Sequence, residues 1–159
     1  SQIHVLYDAS GAPFVAIYDN GCGMSQSELT NAMRHGSTDP SVKRAAGDLG
    51  RFGLGLKTAS LSQCRKLTVV SKKDGIICAR QWDLDVVRDR RKWVVVVPRT
   101  DQLSTLPMFA KLQESESGTL VVWEDLDRLT AGSRDPQQEM TTKMSGLYEH
   151  LALVFHRFT

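Results

Sequence analysis

Four of the chain's twelve glycines, Gly47, Gly50, Gly53 and Gly55, fall within nine residues of GDLGRFGLGLKTAS (Gly47 to Ser60), directly ahead of a helix-like run. Glycine reaches backbone conformations closed to other residues and lets a ligand approach the main chain. A helix N-terminus adds unpaired N–H groups and partial positive charge, which together favour an anion. Lys57 brings a mobile point charge of the kind that reaches phosphate oxygens. A polyphosphate suits this combination; taken alone, the same glycines also suit a flexible loop that caps and hinges the next helix. The spacing excludes two familiar phosphate loops. GRFGLGLKTAS lacks the G-x-x-x-x-G-K-[ST] order, and it is not a G-x-G-x-x-G turn following a strand.

A second glycine-containing stretch, DNGCGM (Asp19 to Met24), leaves a strand and enters a helix. The alternation in QIHVLYDASGAPFVAIYD on both sides of Ser10-Gly11 predicts two antiparallel strands, the second of which, Phe14 to Tyr18, delivers Asp19. A carboxylate at a strand end can accept from an amino group, and the missing side chains of Gly21 and Gly23 let a flat ring lie against the backbone. That suits adenine. An Asp-Asn-Gly turn leading into a capped helix explains the stretch equally well by itself. Ser25 with Glu28 three residues on forms a capping box, with Met24 as the packing residue before the cap.

The remaining pattern predicts a loop over Gly36 to Gly50, a helix from Gly53 or Leu54 to about Cys64, and strands at KLTVVSKK and IICARQWDLD around an Asp74-Gly75 turn. The apolar run Val94 to Val97, stopped by Pro98, reads as a strand in mid-sheet. Leu103 to Gln113 reads as a short helix and SGTLVVWEDL as a strand after Gly118. Met140, Met144, Leu147, Leu151, Val154, Phe155 and Phe158 recur at steps of three and four, which predicts an amphipathic helix over residues 137–159. The absence of a βαβ rhythm implies an α+β fold, a two-layer sandwich of a mainly antiparallel sheet with helices on one face. One domain over residues 1–159 is expected. The terminal helix is still repeating at Thr159 and Ile3 already lies in a strand, so the chain reads as an excerpt of a longer protein whose next domain follows this helix.

Composition limits the function classes. Hydrophobic residues make up 41% and charged residues 24% of the chain, which fits a globular domain. No apolar run approaches the roughly 20 residues that span a bilayer. Twenty basic and 18 acidic side chains balance too closely for charge alone to indicate nucleic acid. RDRRKW (Arg88 to Trp93) is a candidate phosphate-backbone patch that reads better as a solvated hairpin end, and Trp82 and Trp123 read as core or sheet residues. Cys22, Cys64 and Cys78 are odd in number and lack C-x-x-C spacing, which argues against disulfides and zinc and for a reducing, cytoplasmic compartment. His150 and His156 are six apart and fall on different helix faces, so no metal site is expected there.

DNGCGM before a helix, GRFGLGLKTAS opening another, and SGT before a strand together resemble the GHKL (Bergerat) ATP-binding fold. Gyrase-type topoisomerases, MutL, MORC proteins, large heat-shock chaperones and sensor histidine kinases share it. The resemblance covers roughly Val15 to Trp123. It implies that Asp19 binds the adenine amino group, with Gly21, Gly23 and Met24 around the ring and Thr119 holding a water at that site. It implies further that Gly50, Arg51, Phe52, Gly53, Leu54, Gly55 and Leu56 wrap the phosphates and that Lys57 contacts the terminal one. Gly36 to Gly50 would form the ATP lid, its HGSTDPSVK resembling the MutL and MORC branch.

The chain also departs from that pattern. In the family a helix before the first motif supplies a glutamate that activates water and an asparagine that holds magnesium, and no such helix precedes Gln2 here. The general base and the Mg2+ site are therefore expected upstream, in the full-length protein. The leading expectation is an ATPase module whose nucleotide drives lid closure and, by family analogy, homodimerisation of the parent. A histidine-kinase catalytic domain is a second reading, disfavoured by the long excursion between Leu56 and SGT. A non-catalytic nucleotide-gated binding module is a third.

Overall fold

The computed structural model describes residues 2–34 and 55–155. In chain order the elements are β1 (Ile3–Asp8), β2 (Phe14–Asp19), α1 (Gln26–Met33), α2 (Gly55–Leu61), β3 (Lys66–Lys73), β4 (Ile76–Asp83), α3 (Leu84–Arg90), α4 (Thr100–Leu103), α5 (Phe109–Glu114), β5 (Gly118–Glu124) and α6 (Pro136–Phe155). The five strands form one sheet in the order β1-β2-β5-β3-β4. Every pairing is antiparallel, so the fold is α+β. Two local hairpins make its flanks. Gly11, at φ +57, turns β1 into β2, and Asp74 and Gly75, both at positive φ, turn β3 into β4. The last strand in the chain, β5, enters between them and joins the two hairpins into one surface.

Side-chain alternation divides the sheet's two faces. On one face Val15, Leu67, Val69 and Trp82 pack with Leu29 and Met33 of α1 and Met140 and Met144 of α6. Tyr148 of α6 also donates its hydroxyl to the Val5 carbonyl, 2.9 Å, which ties the helix to β1. The expected helical layer lies here. On the opposite face Ala16, Tyr18, Val70, Leu120 and Val122 pack with Leu103, Phe109 and Leu112, so the short helices α4 and α5 add cover that periodicity did not indicate.

Three local expectations are corrected. Val94 to Val97 is not a mid-sheet strand: it makes a single antiparallel bridge, Gln81 to Val96, and Val97 is 63% exposed. The region Leu103 to Gln113 is interrupted, because Pro107 disfavours helix before it and Met108 adopts φ 62. The basic tract ends a helix rather than a hairpin: Asp83 caps α3 by accepting from Asp85 and Val86 N–H, and Arg91 closes it in the left-handed region.

The helix that follows β2 is held at both ends. The Ser25 hydroxyl accepts from Glu28 N–H, 3.3 Å, and the Glu28 carboxylate accepts from Ser25 N–H, 2.7 Å, so the capping box is present as read. Lys73 of β3 donates to the same carboxylate at 2.8 Å. At the far end Trp82 donates its indole N–H to the Met33 carbonyl, 2.9 Å, and Lys57 donates to the Arg34 carbonyl. These are carbonyls that a helix end leaves without intrahelical partners.

The Lys73 bond, with the cap bonds at Ser25, lowers the Glu28 pKa from 4.5 to about 2 and raises that of Lys73. Because the folded-state value lies below the unfolded one, the stabilisation is present above about pH 4.5 and is lost as pH falls toward 2. Glu28→Gln is therefore expected to flatten the acid limb of a melting-temperature profile in that window while changing its slope little above pH 6.

Candidate functional site

Asp19, Thr119 and Ser71 lie side by side on three adjacent strands. Asp19 of β2 is the register partner of Thr119 of β5, which in turn is the partner of Ser71 of β3. All three fall on the face that carries α1 and α2, at the sheet end where β2 exits and β5 enters. The sequence-predicted Asp19 and Thr119 are thus neighbours, although a hundred residues separate them in the chain.

A strap of residues 20–25 crosses this end of the sheet and is pinned by side chains along its length. Asp19 Oδ1 accepts from Gly21 N–H, 2.8 Å. Ser117 donates to the Gly21 carbonyl, 2.7 Å. Met24 N–H donates to Ser71 Oγ, 2.7 Å, and the Met24 carbonyl accepts from the Cys78 thiol, 3.5 Å. Between these bonds Gly23 adopts φ +65 with its Cα against the sheet: a Cβ there would run into the Lys72 carbonyl oxygen, 2.9 Å from its carbon and 3.2 Å from the Gly118 oxygen. Protein packing alone thus requires glycine at this position. A Cβ on Gly118 would likewise strike the Asp19 carbonyl oxygen, so both glycines let strap and strands touch.

The Asp19 carboxylate is partly buried and committed through one oxygen to Gly21. Asn20 does not share that role: its side-chain oxygen accepts from Gln2 N–H at 2.5 Å and fastens the start of β1. Ser71 and Ser117 were missed in the sequence. The signal for Ser71 was available, since Leu67 and Val69 precede it on the same apolar face and a hydroxyl interrupts the pattern.

Of the predicted phosphate segment, Gly55, Leu56 and Lys57 open α2, while Gly50, Arg51, Phe52, Gly53 and Leu54 and the lid call Gly36 to Gly50 lie outside the described residues. Lys57 is fully buried. Burial pushes its ammonium pKa below the usual lysine value, and its hydrogen bond reaches the C-terminal end of α1, where a helix favours positive charge. Leu56 packs against the α1 core. Lys57 thus connects the helix after the strap to the helix after the glycine-rich segment.

Other reactive groups are accounted for structurally. Cys64 is buried, which pushes its thiol up to about 12, and burial also raises Cys78. Neither is a nucleophile at neutral pH. A cleft of about 340 Å³ lined by Lys66, Thr68, Gln81 and Glu124 lies on the opposite face of the sheet and contains none of the predicted residues.

Comparison with known proteins agrees with this arrangement. Residues 2–119 match the family model described as histidine kinase-, DNA gyrase B-, and HSP90-like ATPase. The protein ATPase morc-1 of Caenorhabditis elegans is 35% identical over 79 residues, which are 49% of this chain and 9% of that protein. The chain spans about a tenth of the length of that curated relative. No helix among the described residues is long and apolar enough to cross a membrane. With its antiparallel sheet, the strap after β2 and the helix opened by Gly55, the chain belongs to the GHKL family of ATPases, near its MORC branch.

Proposed function

We propose that the cleft at Asp19 and Thr119 binds the adenine of ATP, and that α2 with the segment before it receives the phosphates. The observation that carries this reading is the row Asp19, Thr119 and Ser71 beneath a strap in which Gly23 has no room for a side chain. Asp19 has one oxygen committed to Gly21, and its other oxygen is left to accept from an exocyclic amino group. Gly21, Gly23 and Met24 frame the ring, and Thr119 adds a hydroxyl beside it.

Lys57 is assigned to the terminal phosphate, which it would reach by exchanging the Arg34 carbonyl for a more strongly charged acceptor. Lys57→Ala is accordingly expected to weaken a non-hydrolysable ATP analogue by about tenfold or more, and ADP by much less. Equal losses for both nucleotides, read by isothermal titration, would remove Lys57 from the terminal phosphate.

Lid closure over Gly36 to Gly50, and dimerisation or nucleic-acid contact of the whole protein, are carried in this proposal by the family alone. Among the described residues no group of three or more His, Cys, Asp or Glu side chains could hold a metal ion. The magnesium that the family implies therefore finds no ligand set there, and no step is assigned to it. The general base is placed upstream of Ser1, so the described residues bind and orient nucleotide, and hydrolysis belongs to the full-length protein. Titration with the ATP analogue beside phosphate release from that protein tests both parts. Binding with turnover supports an ATPase, binding without turnover reduces the assignment to a nucleotide-gated module, and absence of binding contradicts it.

A further inference from the structure

We infer that Ser71 is a specificity-determining positioning residue: it takes up the Thr119 hydroxyl proton and so makes the floor of the cleft a hydrogen-bond acceptor only. The inference rests on the adenine assignment above and concerns how that site distinguishes one purine from another.

Ser71 is fully buried, and its single hydroxyl meets three polar groups. Met24 N–H donates to it at 2.7 Å. The Gly118 carbonyl, an acceptor, lies 3.0 Å away and takes the hydroxyl proton. Thr119 Oγ1 lies 3.1 Å away. A serine hydroxyl has one proton and two lone pairs. With the proton on Gly118 and one lone pair filled by Met24, what remains for Thr119 is the second lone pair, so Thr119 is the donor in that contact. All of the Ser71 hydrogen-bonding capacity is then used, as a fully buried hydroxyl requires.

The consequence falls on Thr119. Its proton points at Ser71, and only lone pairs remain for the cleft. Asp19, the neighbouring strand partner, is a carboxylate and also only accepts. A base seated here must present a donor, as the amino group of adenine does. The keto oxygen of guanine would face lone pairs. A water between the residues and the base preserves the preference: with its two protons on Thr119 and Asp19, it offers the base only lone pairs.

Removing the Ser71 hydroxyl frees the Thr119 proton to turn into the cleft, where it can serve a keto oxygen. The test measures Kd for a non-hydrolysable ATP analogue and for the matching GTP analogue on the intact protein. The variants are Ser71→Ala, Ser71→Cys, which fills the same space with a poor acceptor, Thr119→Val, and the Ser71→Ala/Thr119→Val pair. The wild type is expected to prefer the adenine analogue. Both Ser71 variants are expected to lower that preference by about tenfold, the scale of one hydrogen bond. In the Thr119→Val background the Ser71→Ala change should leave the preference where Thr119→Val alone puts it.

A merely structural serine would weaken both analogues alike. A wild-type preference retained in whichever Ser71 variant folds, or a further loss in the paired variant, overturns the role of Ser71 and leaves the adenine site standing. A wild type that binds neither analogue, or binds both equally, overturns the adenine assignment and this inference with it.

Discussion

Replacing Asp19 with Asn is expected to weaken binding of an ATP analogue by at least about 100-fold while leaving the melting temperature within about 2 °C of wild type. The two outcomes separate because the carboxylate has two oxygens with different duties. Oδ1 accepts from Gly21 N–H and holds the strap, and an asparagine oxygen can do the same. The other oxygen becomes an amide N–H2 group that points donors at the amino group of adenine, so an attraction becomes a repulsion between donors. Calorimetric titration with thermal melting checks both halves. Unchanged affinity would show that the purine is read elsewhere.

Gly23→Ala is expected to have the opposite profile, a loss of stability rather than of recognition alone. The added methyl would meet the backbone of Lys72, with its carbonyl carbon at 2.9 Å, and the residue would hold φ +65. Neither neighbour is a flexible side-chain end that can turn aside. A left-handed backbone costs a residue with Cβ about 1–2 kcal/mol, and displacing the strap adds to that, so a loss of at least about 3 kcal/mol is expected in urea denaturation. Gly11→Ala is the internal control. Gly11 has φ +57 with open space around it, and should lose only the conformational part, about 1 kcal/mol. If the two variants melt alike, the close approach of strap to sheet is wrong.

These two substitutions also show what can be read from the chain and what cannot. Local chemistry is legible because cause and effect are a few residues apart. The Ser25 and Glu28 box forms with both of its reciprocal bonds, and the hairpin turns at Gly11 and at Asp74-Gly75 take the positive φ that their residue types allow. The pairing of Asp19 with Thr119 is a different matter. It depends on β5 crossing the chain to lie between β2 and β3, and strand order is set by long-range packing that no local period encodes. Family resemblance brought those two residues together before the topology did. Ser71, which has no place in the quoted motifs, was left out for that reason.

The misreading at Val94 to Val97 has the same origin. Four valines state that a segment prefers an apolar, extended setting, and they say nothing about whether a strand is there to pair with it. In the fold β4 is the last strand of the sheet, and the valine run touches it at one bridge. Pro107, by contrast, was a visible signal that should have divided the helix expected over Leu103 to Gln113. Lys57 lies between these cases. Its charge and its place in a helix-opening glycine segment are plain in the sequence, but its burial against the Arg34 carbonyl follows from how α1 and α2 meet.

The account depends most on where the purine lies, and a crystal structure of the protein with a non-hydrolysable ATP analogue measures that directly. The expected result is the adenine amino nitrogen within hydrogen-bond distance, about 3 Å, of the Asp19 carboxylate, with the ring beside Gly23 and the phosphates at the start of α2. An analogue bound elsewhere, or a cleft at Asp19 and Thr119 filled by the protein's own side chains, would contradict it.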